Sequence, residues 1–235
     1  QTTEQLADGL SRYATATWER DPLQGRGVTA TTGIAKELAG GGRLYRDEEF
    51  RSGADGPTFG RIMGVETPLT DRLRLDTSFE RGATESATND TSHNAWHAAV
   101  SYANPLKLTA RSEAELRFQD GASNQRQINT THEVKYLPSE DLTLFSQLEY
   151  ARTENTQTNL VSARTKELHL GAAYRPIAHD RFNALGQYVL LEDKGSPGQT
   201  DVDGLLSEQH RIMSVEGAYD LGANLELVGK LARRD

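Results

Sequence analysis

The sequence of 235 residues contains no cysteine, so neither a disulfide framework nor a thiolate metal site can form. It also lacks any apolar run of about 18 residues, the length that a membrane-spanning helix needs. The start, Gln1-Thr2-Thr3-Glu4, has no basic segment followed by an apolar one. We therefore expect a mature or excised segment, or else a protein outside the secretory route. Helical membrane proteins are excluded, and the absence of cysteine suits an exported bacterial protein.

A concentrated positive charge is missing as well. The chain has 26 Lys and Arg against 34 Asp and Glu, which gives a net charge of -8, and the basic residues are interspersed with acidic ones. Nucleic-acid-binding surfaces gather their Lys and Arg into a patch or stripe. We expect no nucleic-acid partner.

Motifs that carry catalysis or bind metals are also absent. There is no HExxH spacing and no GxSxG turn. The six histidines are scattered over different runs and loops: His93, His97, His132, His169, His179 and His210. The segment Asp201, Asp203, Gly204 resembles the opening of a calcium loop but lacks its later ligands, so the stretch from Glu192 to Glu208 is interpreted as a flexible acidic loop whose calcium binding stays open. We expect no enzyme, no catalytic residue, no metal and no cofactor; a hydrolase assembled from separate loops is the weaker alternative.

What the sequence does have is strict alternation of apolar and polar residues. From Arg72 the chain reads RLRLDTSFER, and the segment from Leu106 to Phe118 alternates in the same way. Such a period of two is typical of a β-strand with one apolar face. Further runs begin near Asn94, Arg126, Leu142, Lys166, Arg181, His210 and Asn224, and weaker ones lie at Leu10 to Glu19, Val28 to Leu38, Arg43 to Phe50 and Thr58 to Thr67. Although only 36% of the residues are hydrophobic, a membrane β-barrel needs only every second strand residue to be apolar.

The connections between these runs fall into two sets. Short turns are expected at AGGG near Gly40, PLTD at Pro68, ANP at Pro105, LPSED at Pro138, RPIAHD at Pro176 and DLGAN at Gly222. Long polar loops are expected at SGADGP after Arg51, GATESATNDTS after Arg81, DGASNQ after Gln119, TENTQTNLVSA after Arg152, and from Glu192 to Glu208. Alternating short and long connections are typical of outer-membrane barrels, with the short turns periplasmic and the long loops extracellular.

Aromatic residues recur at both ends of the runs, in phase with the apolar residues. Rings at the two edges of an apolar band match the two membrane interfaces. Core aromatics of a soluble β-sandwich or lipocalin-like barrel are the alternative. The predicted girdle residues are Phe79, Trp96, Tyr102, Phe118, Tyr136, Tyr150, Tyr174, Tyr188 and Tyr219.

Charged residues occupy the opposite face of the runs. In a closed barrel that face lines the lumen, and mixed signs predict a salt-bridged, water-filled interior without strong ion selectivity. A plug or an ion-pair network could close such a lumen, and a solvated sheet face with surface ion pairs is the simpler alternative. The predicted lumen-lining residues are Arg72, Arg74, Asp76, Lys107, Arg111, Glu113, Glu115, Arg117, Lys135 and Glu149.

The C-terminal part of the chain resembles a recurrent pattern of proteobacterial outer-membrane proteins. It consists of LHLGAAYRPIAHDRFNALGQYVLLEDK, from Leu168 to Lys194, and RIMSVEGAYDLGANLELVGKLARR, from Arg211 to Arg234. The pattern looks like the C-terminal porin-like barrel of large, adhesin-like surface proteins. The resemblance implies a membrane anchor or conduit and identifies no substrate.

Together these patterns predict an all-β, antiparallel, up-and-down transmembrane β-barrel that forms a single domain over residues 1–235. About 13 strands are visible, and because bacterial barrels normally have an even number, we expect 14 or more, with a further strand after Asp235. The leading functional hypothesis is a porin-like channel for small hydrophilic solutes in the bacterial outer membrane. The alternatives are an anchor, translocator or scaffold, whose partners would be a fused surface region or other envelope subunits, and a soluble ligand-binding β-barrel.

Overall fold

The computed structural model of the chain describes residues 2–21, 25–53, 56–85, 90–104, 106–121, 124–178, 181–195, 207–222 and 225–235. These residues form a sheet of 14 strands in which each strand is hydrogen-bonded to the next one along the chain. The strands are β1 (Thr2–Ala7), β2 (Leu10–Asp21), β3 (Gly25–Glu37), β4 (Arg43–Gly53), β5 (Gly56–Pro68), β6 (Leu73–Thr84), β7 (Thr91–Asn104), β8 (Leu108–Asp120), β9 (Gln125–Tyr136), β10 (Leu142–Asn155), β11 (Val161–Tyr174), β12 (Phe182–Lys194), β13 (Ser207–Gly222) and β14 (Leu225–Arg234). No helix among the described residues is long and apolar enough to cross a membrane.

The order of the strands confirms the predicted up-and-down topology and the expected count of 14 or more. The strand beyond the thirteen visible in the sequence is β1, which pairs antiparallel with β2 across a turn at Asp8 and Gly9. Gly9 has a φ of 68°, a left-handed conformation that glycine adopts without strain. β1 is short and polar, so it lacks the alternation that marks the other strands. In the strand order β1 and β14 are the two edges, and a strand after Asp235 stays a prediction.

The chain divides into two compact units. Unit 1 comprises Gln1–Val100, Ala114–Gln127 and Glu154–Leu160; unit 2 comprises Ser101–Glu113, Ile128–Thr153 and Val161–Asp235. In unit 1, the antiparallel registers of β2 to β6 place Tyr13, Gly33, Asp47, Ile62 and Glu80 in one cross-strand row. In unit 2, β11 to β14 pair in the same manner along most of their lengths.

The strands are longer than the sequence suggested, so several predicted long loops are wrong. Only residues 54–55 separate β4 from β5, and only 121–124 separate β8 from β9. Stretches rich in Gly, Ser and Asn look like loops, but their backbone groups pair readily when a neighbouring strand lies opposite. The longer connections that remain between strands include 85–90 and 195–206. The difference in loop length between the two ends of the sheet is therefore smaller than expected.

Among the described residues, the buried hydrophobic side chains are all small: Ala35, Ala95 and Ala99. None of the larger side chains described is fully buried. A soluble domain of this size would bury a core of Leu, Ile, Val and Phe. Within the described part of each unit, the apolar residues that alternation places on one face of the strands therefore have no partner layer.

Candidate functional site

The two faces of unit 1 differ in chemistry because neighbouring residues of a strand point to opposite sides. One side, here called the apolar face of unit 1, carries large apolar residues from β3 to β7. They include Ile34, Leu44, Phe50, Phe59, Met63, Phe79 and Trp96. The opposite side, the charged face of unit 1, carries most of the acidic residues of these strands. The apolar side chains are the more exposed ones: Leu44 is 52% exposed, Met63 49% and Trp96 59%.

Aromatic pairs lie on the apolar face of unit 1 toward the ends of the strands. The ring centroids of Phe79 and Trp96 are 4.6 Å apart with the rings tilted by 50°, and those of Phe50 and Phe59 are 5.0 Å apart. These distances suit favourable tilted ring contacts. Phe50 and Phe59 were not among the predicted girdle residues, because the glycine-rich segment between β4 and β5 resembles a loop and gives no sign of their cross-strand pairing.

One cluster on the charged face of unit 1 is built around Arg43. Its guanidinium lies 5.8 Å from the ring centre of Tyr13 and 5.5 Å from that of Tyr45, and one of its nitrogens lies 3.6 Å from Glu66. Arg74 also contacts Glu66, at 3.3 Å. Cation–π contacts and a shared carboxylate hold these side chains in place.

A second cluster on the charged face of unit 1 is built around Glu80. His93 Nε2 lies 2.8 Å from one carboxylate oxygen of Glu80, and Arg117 lies 3.8 Å from the other. Arg117 also donates to Glu115 at 3.2 Å. Charges of both signs are thus linked across β6, β7 and β8, as expected for a salt-bridged polar surface.

Among the described residues, three Tyr and Phe rings lie directly over glycines. The Tyr13 ring, whose hydroxyl donates to Asp47, covers Gly33; Tyr45 covers Gly64; and in unit 2 Phe145 covers Gly171. A β-carbon at any of these glycines would collide with the ring. Covering a strand glycine in this way hides its exposed backbone and fixes the ring against the sheet.

The apolar face of unit 1 also carries charged side chains, and those of β4 and β5 lie in the interior of their strands. Arg12 contacts Glu4 at 2.8 Å, and Glu48 is shared between Arg46 at 2.7 Å and Arg61 at 3.1 Å. Because β4 and β5 place Glu48 opposite Arg61, these pairs connect the two strands on the side that also carries Phe50 and Phe59. These charged residues were not among the predicted lumen-lining residues.

In unit 2 the strands β11 to β14 have an apolar face with less charge along its middle. Tyr174 and Phe182 lie with their ring centroids 6.3 Å apart, and Tyr219 is the cross-strand partner of Phe182. Across β13 and β14, Val215 pairs with Leu231. Leu231 is 77% exposed and Val215 61%. Large apolar side chains again occupy the exposed side.

The opposite face of unit 2 carries polar side-chain contacts. His169 lies 2.5 Å from Glu167, Lys230 lies 3.5 Å from Glu216, and Arg111 lies 2.8 Å from Glu113. The pairs Arg111–Glu113 and Lys230–Glu216 join side chains of opposite charge, as in unit 1.

The predicted lumen-lining residues fall into two groups. Eight of them lie in strands: Arg74, Asp76, Glu115 and Arg117 in unit 1, and Arg111, Glu113, Lys135 and Glu149 in unit 2. The placement of Arg72 and Lys107 in strands is wrong, since both lie in turns. Thr70 Oγ1 accepts hydrogen bonds from the backbone of Arg72 and Leu73, and the Lys107 amide donates to the Asn104 carbonyl. The role of the whole set in lining a lumen stays a prediction.

The predicted girdle residues all lie in strands, whatever their role. Phe79, Trp96 and Phe118 belong to unit 1, and Tyr102, Tyr136, Tyr150, Tyr174, Tyr188 and Tyr219 to unit 2. Arg117 reaches the charged face of unit 1, so its neighbour Phe118 lies on the apolar face with Phe79 and Trp96. A position at membrane interfaces stays a prediction.

The histidines among the described residues do not gather into a site. His93 and His169 contact Glu80 and Glu167, His132 contacts Ser112, and His210 contacts Glu208. His179 and the calcium-like segment Asp201, Asp203, Gly204 lie outside the described residues. Among the residues that are described, no group of three or more His, Asp or Glu side chains is placed to hold a metal ion.

The strand order, the exposed apolar faces and the small buried residues together define the class of fold: the up-and-down antiparallel sheet of a membrane β-barrel. Neither a protein-family model nor a curated protein matches the sequence. Solved structures do match it, at low sequence identity, which shows the fold alone.

Three of these structures are the siderophore receptor PirA from Pseudomonas aeruginosa, the FrpB iron transporter from Neisseria meningitidis and the alcaligin outer-membrane receptor FauA from Bordetella pertussis. PirA has 10% identity and a TM-score of 0.55 over 97% of this chain and 44% of its own. FrpB has 11% identity and a TM-score of 0.51, and the match covers 96% of this chain and 48% of FrpB. FauA has 14% identity and a TM-score of 0.52, and the match covers 91% of this chain and 41% of FauA. The chain therefore spans less than half the length of each.

Proposed function

We propose that the chain forms the wall of a bacterial outer-membrane β-barrel. Its apolar faces meet lipid, and its charged faces line a water-filled lumen that passes small hydrophilic solutes. The observation that carries the proposal is the distribution of side chains. Among the described residues, large apolar groups such as Leu231 and Trp96 are exposed, while the buried apolar groups are alanines. Burying apolar surface stabilises a protein by about 25 cal/mol per Å², so this surface favours a lipid environment.

The charged face of unit 1 supports the aqueous side of the proposal. Arg43, Glu66, Glu80 and Arg117 are held in ion pairs of both signs, which in a lumen would give a hydrated wall with little preference for cations or anions. The sequence contains no catalytic motif, and we propose no enzymatic role.

Trp96 offers a direct test of which face meets lipid. The chain has two tryptophans, so a Trp18→Phe variant leaves Trp96 as the sole indole. After refolding into vesicles that contain lipids brominated along their acyl chains, we expect strong quenching of Trp96 fluorescence and little quenching by aqueous iodide. Quenching by iodide alone would contradict the proposed orientation.

The channel itself is tested by conductance across a planar bilayer. The full chain, refolded in detergent, should give stable open steps with a reversal potential near zero in a salt gradient. Silence from protein that passes the Trp96 test would contradict the channel while leaving the membrane wall intact.

The ion pairs on the apolar face of unit 1 favour a second candidate, an anchor, translocator or scaffold for a larger surface protein or membrane complex. Arginine facing lipid near the bilayer centre is unfavourable by about 2–4 kcal/mol, whereas a protein partner could accept Arg46 and Arg61. Chemical crosslinking in native membranes tests this candidate: adducts to another envelope protein through this face would favour it over an isolated channel.

A further inference from the structure

Four charged side chains lie together on the apolar face of unit 2, at the end of β11 and β12 that adjoins the connection 195–206. Arg164 is the cross-strand partner of Lys194, and Lys166 is the partner of Glu192. All four are in phase with Leu168 and Leu190, which are also partners. Arg164, Lys166, Glu192 and Lys194 together form the basic cluster.

Glu192 is the centre of the basic cluster. One of its carboxylate oxygens lies 3.3 Å from Arg164 and 3.3 Å from Lys194, and the other lies 3.8 Å from Lys166. Three cations against one carboxylate leave two positive charges in excess. Arg211, the partner of Leu190 on β13, adds another cation on the same face.

The cations of the basic cluster retain capacity to bind an anion. Arg164, Lys166 and Lys194 are 33%, 47% and 31% exposed. Guanidinium and ammonium groups carry several N–H donors each, and Glu192 occupies only part of them. Phosphate oxygens are strong acceptors for such donors, and charge-assisted hydrogen bonds are stronger than neutral ones.

The position of the basic cluster on the apolar face indicates which kind of molecule carries the anion. On the same face, Leu168, Leu170 and Leu190 continue the apolar surface away from the cluster, and Tyr188 lies between them as the partner of Leu170. If this surface meets lipid, as the proposed function on which this inference rests requires, the cluster lies where acyl chains give way to headgroups. Long basic side chains reach that level with their stems along the apolar surface.

We infer that Arg164, Lys166 and Lys194 bind the phosphates of a phosphorylated lipid headgroup in the outer leaflet of the membrane. Glu192 contacts all three cations and competes with the phosphates for their N–H donors. The connection 195–206 is the long loop predicted to be extracellular, which places the cluster at the outer leaflet.

The first test compares two triple variants of the full chain in detergent micelles. R164Q/K166Q/K194Q removes the cluster, and R181Q/K36Q/K230Q removes the same charge from one arginine and two lysines elsewhere. Native mass spectrometry with bisphosphorylated lipid A as the probe should show binding to the cluster variant weakened by about tenfold or more, with the control variant unchanged. Equal binding by all three proteins, or equal losses in both variants, would overturn the inference.

Two further arms identify the ligand chemistry. Lipid A stripped of its phosphates should bind the wild-type chain as weakly as intact lipid A binds the cluster variant. Inorganic phosphate at the concentration of lipid A should not compete; full competition would assign the site to free phosphate and overturn the lipid source. Glu192→Gln, which removes the competing carboxylate charge, should bind lipid A at least as tightly as the wild type.

Failure of this inference is separable from failure of the proposed function. The Trp96 quenching measurement is made on the same proteins carrying Trp18→Phe. A chain whose Trp96 is not quenched by brominated lipid contradicts the membrane wall. A chain that inserts, and whose cluster variant still binds lipid A normally, contradicts only the lipid site.

Discussion

Glycines determine where several aromatic rings of this sheet can lie. Gly33 and Gly64 are in the interior of β3 and β5, where a residue without a side chain normally weakens a strand. Here the absence of a β-carbon lets the rings of Tyr13 and Tyr45 rest on the backbone. The same two rings hold Arg43 on the charged face of unit 1, so the two glycines contribute indirectly to the position of Arg43.

Gly64→Ala is expected to destabilise the fold. The new methyl group would occupy the space of the Tyr45 ring, and overpacking of this kind costs about 1–3 kcal/mol. Gly186→Ala is the matched control, since no atom outside its chain neighbours lies within 4 Å of a β-carbon there, and it should be neutral or slightly stabilising. Urea unfolding in detergent micelles, followed by tryptophan fluorescence, measures both; equal midpoints for the two variants would contradict the packing argument.

At the scale of single elements, β4 shows how neighbouring residues can face different surroundings. Glu48 lies on the apolar face of unit 1 between Arg46 and Arg61, whereas Glu49 lies on the charged face beside Arg51 at 3.1 Å. The two glutamates are adjacent in the sequence, and the period of two alone separates them.

We therefore expect Glu48→Gln and Glu49→Gln to differ in lipid but not in detergent solution. In vesicles, Glu48→Gln leaves two arginines without a carboxylate on the face proposed to meet lipid or a protein partner, where unpaired charge is costly. Glu49→Gln breaks an ion pair in water, which contributes little. In vesicles, the decrease in the urea concentration at the midpoint of unfolding should be at least about twofold larger for Glu48→Gln than for Glu49→Gln. Similar losses in vesicles would indicate that water covers both faces.

At the scale of the whole molecule, both units lack a conventional core among the residues described. Ala35, Ala95 and Ala99 are the buried apolar side chains, and residues as large as Leu44 and Leu231 remain exposed. The soluble ligand-binding barrel considered from the sequence would need such residues inside.

Folding should consequently depend on an amphiphile. Diluted from urea into buffer alone, the chain is expected to aggregate, because exposed apolar side chains such as Val215 and Leu231 lie side by side, and monomeric soluble proteins rarely expose large contiguous apolar patches. Diluted into detergent micelles or vesicles, it should acquire the circular dichroism of β-structure and resist protease. Monomeric, protease-resistant protein in buffer without detergent would contradict the membrane wall and revive the soluble alternative.

The sequence by itself determined which residues share a face of each strand. Alternation is a local property with a period of two, so Phe79 and Asp76, or Tyr174 and Ala173, could be assigned to opposite sides without knowledge of any partner strand. The fold class and the approximate strand number followed from the repetition of that pattern.

Only the tertiary structure decided which residues of neighbouring strands lie opposite each other, because that depends on the register between the strands. Whether Gly-rich ends such as Gly53 and Gly56 pair or form a loop depends on the hydrogen bonds of the opposite strand, and β1 became recognisable only through its pairing with β2. Arg164 and Glu192 are far apart in the chain and meet because β11 and β12 align in one register among several that the sequence allows. An alternating pattern excludes a shift of one residue between strands but does not distinguish registers that differ by two residues, so it leaves the contacts across strands undetermined.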